Sequence, residues 1–169
     1  MDQEWLDVVD AQDVVITQRT RKEVHALRLT HRAVSVLIFD ARGYLLIQER
    51  SAQKDQNPGR YSPSASGHVD AHESYPIAAA RELREEVGLN ADLTWLHTLP
   101  ASSETHQEFT AIFSGHTEDT PRPDPEEVAS VRWVDVASLW ADMTEWPDRY
   151  TSSFRTVLSW FLSQRQVKP

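Results

Sequence analysis

The sequence GHVDAHESYPIAAARELREEVGL occupies residues 67–89 and brings three glutamates close together. On a helix of about 3.6 residues per turn, Glu82, Glu85 and Glu86 are spaced three and four apart, so their carboxylates share one face. Like charges at this spacing repel one another and cost roughly a few tenths of a kcal/mol per pair. Hard oxygen ligands of this kind suit Mg²⁺ or Mn²⁺. The spacing therefore indicates a face that a divalent cation could occupy.

The flanking residues predict a helix from about residue 75 to 87. Ser74 is a candidate N-cap, Pro76 suits the first turn, and Gly88 stands where a left-handed C-cap would be. The helix would present its acidic edge to a pocket while its other side packs on the core. That other side is apolar and is expected to be buried, through Ile77, Ala78, Ala79, Ala80, Leu83 and Val87.

The spacing alone leaves a second interpretation open. Charged helix faces are common, and Arg81 and Arg84 could be surface partners of the glutamates. The acidic edge would then be solvated and would bind nothing.

The complete segment resembles the Nudix box in every defined position, with the pattern G-x5-E-x7-REL-x-EE-x-GL running from Gly67 to Leu89. The resemblance implies an enzyme that uses Mg²⁺ to hydrolyse a nucleoside diphosphate linked to another group. It also implies residue roles: Gly67, Glu82, Glu85 and Glu86 as metal ligands, Arg81 as the residue that orients Glu82, and Glu73 as a supporting carboxylate. The glutamates, Arg81 and Glu73 would form the catalytic set.

Composition favours one ordinary globular domain over residues 1–169. Forty per cent of the residues are hydrophobic and a quarter are charged. The net charge of −9 argues against nonspecific binding to nucleic acid, which needs clustered Lys and Arg. There is no cysteine, no apolar run long enough to span a membrane, and no signal-peptide pattern in MDQEWLDVVD. We expect a cytoplasmic protein without a membrane partner, and a monomer rather than a homodimer.

The order of predicted elements favours an α/β sandwich with a mixed sheet between helices, which is also the fold that the Nudix resemblance implies. A β-hairpin and a short helix are expected over about 4–30, with Val24 and Leu27 pointing inward, and an amphipathic helix over about 150–165. Strands are predicted at 32–40, 44–48, 92–99, 106–113 and 128–134. Asp135 is expected to cap a further short helix.

Residues 4–90 also resemble the Nudix subgroup related to isopentenyl diphosphate isomerase. The shared features are DVVD at 7–10, HRA at 31–33, LLIQERS at 45–51 and PG.Y....SGH at 58–68. By this resemblance, His25, His31 and His68 could hold a metal, with Glu108 beside them. Isomerisation of isopentenyl diphosphate is therefore the alternative function.

Two departures favour hydrolysis over isomerisation. The isomerases carry a Cys ahead of the Gly-His pair, whereas here Ser66 precedes Gly67 and His68, and a hydroxyl is a much weaker acid than a thiol. The isomerases also have a degenerate Nudix box, whereas this one is intact. A third hypothesis, a Nudix domain that binds a nucleotide without cleaving it, ranks last because no box glutamate is missing.

A basic loop precedes the acidic helix. Arg50, Lys54 and Arg60 lie in or beside the Ser- and Pro-rich segment 51–66 and could clamp diphosphate oxygens, together with His68. Family resemblance favours Arg50 and Lys54, and ordinary loop solubility is the alternative for each residue.

The last site prediction concerns a glutamate beyond the helix. By resemblance, Glu108 is expected to reach back to the metal, with Glu104 as a rival and an exposed carboxylate as the alternative. Nucleoside di- or triphosphates are the first choice of substrate because the domain is small. Nucleotide sugars, dinucleoside polyphosphates and non-nucleotide diphosphates remain open.

Overall fold

The computed structural model describes residues 3–166, so residues 1, 2 and 167–169 of the predicted domain lie outside the described residues. Two sheets and four α-helices account for most of the chain. The elements are β1 (Trp5–Val9), β2 (Val15–Thr20), α1 (Arg21–Ala26), β3 (His31–Phe39), β4 (Leu45–Arg50), β5 (Tyr61–Ser62), β6 (Ala65–His68), α2 (Tyr75–Val87), β7 (Thr94–Leu99), β8 (Glu108–His116), β9 (Val128–Val134), α3 (Val136–Glu145) and α4 (Ser152–Gln166), with a 3-10 turn at Pro147–Arg149.

The main sheet has seven strands and is mixed, as predicted. Its central order is β5-β4-β3-β8-β7, while β6 pairs with β3 and β9 pairs with β4. Strands β3 and β8 are parallel, with His31 opposite Glu108, and β3 and β6 are antiparallel, with Ala33 opposite His68. This register brings side chains from three strands to one end of the sheet.

Helices cover both faces of this sheet, which gives the predicted α/β sandwich. On one face, Val34, Val36 and Ile38 of β3 pack in a buried cluster with Leu83 and Val87 of α2. On the other face, a second buried cluster joins β3, β4 and β8 to α3 and α4, through Leu37, Phe39, Ile112, Leu139, Phe154 and Val157. None of the helices within residues 3–166 is long and apolar enough to cross a membrane.

The N-terminal hairpin and its helix lie against the residues that lead into α2. β1 and β2 form a separate antiparallel sheet, and Thr20 with Glu23 makes the expected capping box of α1. Leu6 bridges to Asp70, and the amide of Ala71 donates to the Trp5 carbonyl over 2.8 Å. These contacts place the start of the chain beside the loop that enters α2.

Local signals set the ends of α2 where they were predicted. The Ser74 hydroxyl accepts from the Ile77 amide, Pro76 lies in the first turn, and Gly88 adopts a left-handed φ of 66°. The buried stripe is narrower than expected, running through Tyr75, Ala78, Ala79, Leu83, Glu86 and Val87.

Three residues that were predicted to point inward are exposed. Ile77 is 62% exposed and Ala80 is also exposed, because both lie outside the stripe that contacts the sheet. Leu27 is 65% exposed because it follows the last residue of α1, although Val24 is buried as expected.

Candidate active site

The three predicted glutamates of α2 line one cavity of about 820 Å³, here called the carboxylate pocket. The cations that line it are Arg21, Lys54 and Arg81, with His68 nearby. They are outnumbered by acidic groups, because further carboxylates face the cavity from other elements: Glu4, Asp55, Asp70, Asp124, Glu126 and Glu127. The pocket therefore has a surplus of negative charge that favours binding of cations.

Arg81 fixes the positions of the neighbouring carboxylates. Its guanidinium donates two hydrogen bonds of 2.8 and 2.9 Å to Glu73, one of 2.9 Å to Glu82 and one of 3.2 Å to Glu85. The hydrogen bond to Glu73 is the main cause that raises the pKa of Arg81, so the guanidinium stays charged. Glu73 lies behind Arg81 rather than in the pocket, which fits the supporting part predicted for it.

Glu86 lies in the buried stripe of α2, with only 3% of its surface exposed. Its Oε1 accepts a hydrogen bond of 2.8 Å from the Ser66 amide and one of 3.3 Å from the Gln48 side chain. Burial raises the pKa of Glu86 to about 7, although the Ser66 amide opposes this shift. Sequence reasoning missed Gln48 and Ser66 as partners, because they come from β4 and β6.

Gly67 and Glu82 are in direct contact, which explains why glycine occupies this position. A Cβ at residue 67 would lie 2.3 Å from the Glu82 carboxylate, much closer than atoms can approach. Burial raises the pKa of Glu82 to about 8, and the charge of Glu86 adds to this effect. A divalent cation would reverse both shifts, and the carboxylate donors fit a hard cation such as Mg²⁺.

The predicted basic residues do not form one cluster. Lys54 lines the pocket and forms an ion pair with Glu127. Arg50 instead donates to the Gln56 carbonyl over 3.0 Å and lines a smaller neighbouring cavity, while Arg60 lines neither of the two. The structure adds Arg21, which sequence reasoning did not assign to the site because it lies far away in the chain, at the start of α1.

The loop 117–127, which joins β8 to β9, also reaches the site. Its amides at Arg122 and Asp124 donate to the carbonyls of Val87 and Glu86, over 2.7 and 3.0 Å. These bonds tie the loop to the C-terminal end of α2 and bring its acidic residues to the pocket. Its many carboxylates were visible in the sequence, but nothing in their spacing pointed to α2.

A second group of chemically active side chains lies beside the pocket and is here called the histidine cluster. His25, His31 and His68 each offer a ring nitrogen within 4.8 Å of the others. Glu108 Oε1 lies 3.4 Å from His31 Nε2 and 3.3 Å from His68 Nε2. The structure thus brings together the four residues that the isomerase resemblance grouped.

The histidine cluster is electrostatically paired within itself. Burial acts to lower the pKa of His68, but the carboxylates of Glu108 and Glu4 raise it to about 9. Burial likewise acts to raise the pKa of Glu108, but hydrogen bonds to His31 and His68 hold it at about 2. Burial lowers the pKa of His25 to about 4. These opposite shifts favour a part-buried ion pair of His68 and Glu108, whose atoms Nε2 and Oε1 lie 3.3 Å apart.

Glu108, which was predicted to reach back to the metal, lies at the histidine cluster. Its carboxylate lies on the histidines and does not line the carboxylate pocket, because the β3–β8 register sets it opposite His31. Its rival Glu104 is exposed and accepts a hydrogen bond of 3.0 Å from Ser103.

Comparison with known proteins agrees with this architecture. The NUDIX domain family model matches residues 29–156. The chain is 36% identical over 161 residues to an isopentenyl-diphosphate Delta-isomerase of Serratia proteamaculans, covering 92% of this chain and 89% of that one. It is 34% identical over 151 residues to a prenyl-diphosphate phosphatase of Methanosarcina mazei, covering 87% and 88%.

A solved structure gives the same result for the fold. The protein DR0079 of Deinococcus radiodurans is 26% identical in sequence and superposes with a TM-score of 0.76. The superposition covers 85% of this chain and 90% of that one. Members of the families matched here generally depend on a divalent metal. This chain belongs to the Nudix family, in the group that is similar to isopentenyl diphosphate isomerase, and is an enzyme of the pyrophosphohydrolase class.

Proposed function

We propose that the chain hydrolyses a P–O–P bond of a diphosphate in the carboxylate pocket, with Mg²⁺ as the cation and Mn²⁺ as a substitute. The observation that carries this proposal is the arrangement of Glu82 and Glu86. Glu86 is buried and Glu82 is partly buried, and both have raised pKa values although Arg81 donates to Glu82 over 2.9 Å. Such a site is costly to keep unless a cation joins it.

The ligands proposed for the metal are Glu82, Glu85, Glu86 and the backbone at Gly67. When bound, a divalent cation neutralises diphosphate charge and lowers the pKa of water. Arg81 holds Glu82 and Glu85 in place, and Glu73 holds Arg81. Glu86 is the candidate for accepting a proton from the attacking water, because it lines the pocket and its hydrogen bonds from Ser66 and Gln48 both go to one carboxylate oxygen, Oε1.

Substrate phosphates would be held by the cations at the rim. Lys54 and Arg21 are each paired with an acidic residue, Glu127 and Asp55, and can exchange that partner for phosphate oxygens. His68 faces the pocket with a raised pKa and can add a positive donor. Arg50, which was also predicted to bind phosphate, lines the smaller neighbouring cavity.

Two substrate classes follow from different arguments. Nucleoside di- or triphosphates remain the prediction from the sequence. The relative named prenyl-diphosphate phosphatase suggests a non-nucleotide diphosphate instead. With a cation bound to offset its negative charge, the carboxylate pocket suits the diphosphate of either class, because its lining is polar. A monomeric state and a cytoplasmic location stay predictions.

Isomerisation of isopentenyl diphosphate is the second candidate function, favoured by the histidine cluster. A second cation held by these histidines and Glu108 would match the part predicted for Glu108 as a metal ligand. The chemistry needs proton transfer on two faces of an alkene, and Ser66 stands where the isomerases carry Cys. We therefore place hydrolysis first.

The test is an assay with ADP, ATP, isopentenyl diphosphate and geranyl diphosphate, each with Mg²⁺, with Mn²⁺ and with a chelator. We expect metal-dependent release of phosphate or pyrophosphate from at least one substrate. Formation of dimethylallyl diphosphate without hydrolysis would contradict the proposal and favour isomerisation. Metal-dependent binding without any product would favour a nucleotide-binding module.

A further inference from the structure

A second cavity, of about 80 Å³, meets the carboxylate pocket at β6 and is here called the hydroxyl cavity. Ser66 lines both cavities, and its amide contacts Glu86. Its walls come from β3, β5, β6 and β8, with Arg50 of β4, the loop at 56–57 and Glu108 of β8 also lining it, and Thr151 and Ser153 at the start of α4 close it. A group attached to a diphosphate in the carboxylate pocket therefore has a defined space beside it.

Three hydroxyls of this cavity are buried without a hydrogen-bond partner among the described residues. They belong to Ser35, Ser62 and Thr110, which are 3%, 1% and 3% exposed and come from three different strands. Native proteins pair most buried polar groups, because an unpaired one loses its hydration without compensation. Three such groups in one small cavity indicate a missing polar partner.

The sequence pattern of the strands supports this interpretation. Ser35 lies on the same side of β3 as Leu37 and Phe39, and Thr110 lies on the same side of β8 as Ile112. Those apolar residues belong to the core that packs on α3 and α4. Continuing the apolar pattern would fill the cavity, so small polar residues keep it open at a cost in stability.

We propose that the hydroxyl cavity binds the group esterified to the diphosphate and selects a small hydroxylated group over a hydrocarbon. This inference rests on the proposed function and names its substrate class. A group of about five non-hydrogen atoms fits such a volume, which is several times that of one water. Alcohol groups can donate to and accept from Ser35, Ser62 and Thr110, whereas a hydrocarbon would leave all three unpaired.

The sharpest probes are two diphosphates with the same carbon skeleton. 2,3-Dihydroxypropyl diphosphate carries two hydroxyls that n-propyl diphosphate lacks. We expect kcat/KM with Mg²⁺ to be on the order of 10–10³-fold higher for the dihydroxypropyl compound, because sites built for a hydroxyl reject the analogue without it. Geranyl diphosphate tests the excluded class and should be a poor substrate.

The variants Ser35→Ala and Thr110→Val remove one hydroxyl each with little change of shape. Each should reduce the preference for the dihydroxypropyl compound by about tenfold, mainly through a lower kcat/KM for that compound. Thr156→Val is the matched control, because its hydroxyl donates within α4 to the Ser152 carbonyl over 3.0 Å and lies outside both cavities. Thermal melting checks that each variant is folded.

The outcomes separate this inference from the proposed function. Equal kcat/KM for the two probes, unchanged in the variants, would mean that the cavity holds water only and would overturn the inference while the hydrolase proposal stands. Absence of all metal-dependent hydrolysis would overturn the proposed function. In that case calorimetry with the methylene-bridged analogues of both probes still tests the inference by measuring their affinities. Tighter binding of the dihydroxypropyl analogue would support the inference, and equal affinities would contradict it.

Discussion

The carboxylate pocket and the histidine cluster both concentrate metal-binding side chains, yet they are assembled in different ways. Glu82, Glu85 and Glu86 come from two turns of one helix. The histidine cluster takes one residue each from α1, β3 and β6, with Glu108 from β8. The first is a property of local sequence, whereas the second exists only when the sheet has formed.

Their charge balance differs as well. Burial raises the pKa values of Glu82 and Glu86, and the cations near them do not offset this effect. In the histidine cluster, His68 and Glu108 shift each other towards the charged forms and so make a pair. The comparison indicates that a deficit of positive charge, here called the charge deficit, marks the carboxylate pocket as the site that needs a cation. The histidine cluster is paired within itself and can be stable without one.

Glu86→Gln should have the largest effect and tests the first half of this comparison. Removing the buried carboxylate should lower kcat for metal-dependent hydrolysis by on the order of 10²–10⁴-fold, since it is the proposed proton acceptor. Glu104→Gln is the control, because the Glu104 side chain is exposed and its carboxylate accepts from Ser103 in its own loop. Full turnover in Glu86→Gln would remove Glu86 from the catalytic set.

Gly67→Ala should weaken the same pocket without removing a ligand. The added Cβ must push the Glu82 carboxylate away, and a displacement of about 1 Å at such a site can cost about 10²-fold in rate. The unfolding free energy should change little, because the displaced group is the end of a flexible side chain.

Gly43→Ala is the matched control for this variant. Gly43 has a left-handed φ of 79° and open space around its Cα, so alanine should cost about 1–2 kcal/mol of stability. Its activity should stay at the wild-type level once folding is allowed for. If Gly67→Ala lost stability and kept its rate, the contact with Glu82 would have no catalytic importance.

The limits of sequence-based prediction follow from the same contrast. The bounds of α2, its caps and the shared face of its glutamates were predictable, because neighbours within two turns determine them. The deep burial of Glu86 and its contacts with Gln48 and Ser66 were not, since β4 and β6 approach through the tertiary fold.

The basic residues and the hydroxyl cavity illustrate the same limit. Arg50 and Lys54 are four positions apart, but they line different cavities because the loop turns between them. Ser35 and Thr110 each look like ordinary polar strand residues in the sequence. Their shared cavity depends on the parallel register of β3 and β8, which no local pattern encodes.

Glu108→Gln tests the second half of the comparison and should have a smaller effect on rate. The change leaves His68 with a weaker buried partner, so the unfolding free energy should fall by about 1–3 kcal/mol in urea titrations. Hydrolysis should fall by less than about tenfold, because Glu108 lines the hydroxyl cavity and not the carboxylate pocket that holds the proposed metal ligands. A loss as large as that of Glu86→Gln would place the histidine cluster in the catalytic centre.

The smallest expected effect is on the pH dependence of the melting temperature, which should distinguish the carboxylate pocket from the histidine cluster. Glu82 and Glu86 have folded-state pKa values raised to about 8 and about 7, so the metal-free folded state binds protons that the unfolded chain has released. Stability in chelator should therefore fall as pH rises from about 5 to 8. The raised pKa of His68 acts in the same direction between about 6.5 and 9, because the charged form is the one that its partners stabilise.

Mg²⁺ should cancel only the glutamate part of this pH dependence. Its stabilising shift in Tm should therefore grow with pH and reach several degrees, given about 2–4 °C per kcal/mol for a chain of this size. In Glu86→Gln the dependence should flatten below about pH 7 and persist above it. A Mg²⁺ shift that is the same at pH 6 and pH 9 would contradict the charge deficit assigned to the carboxylate pocket.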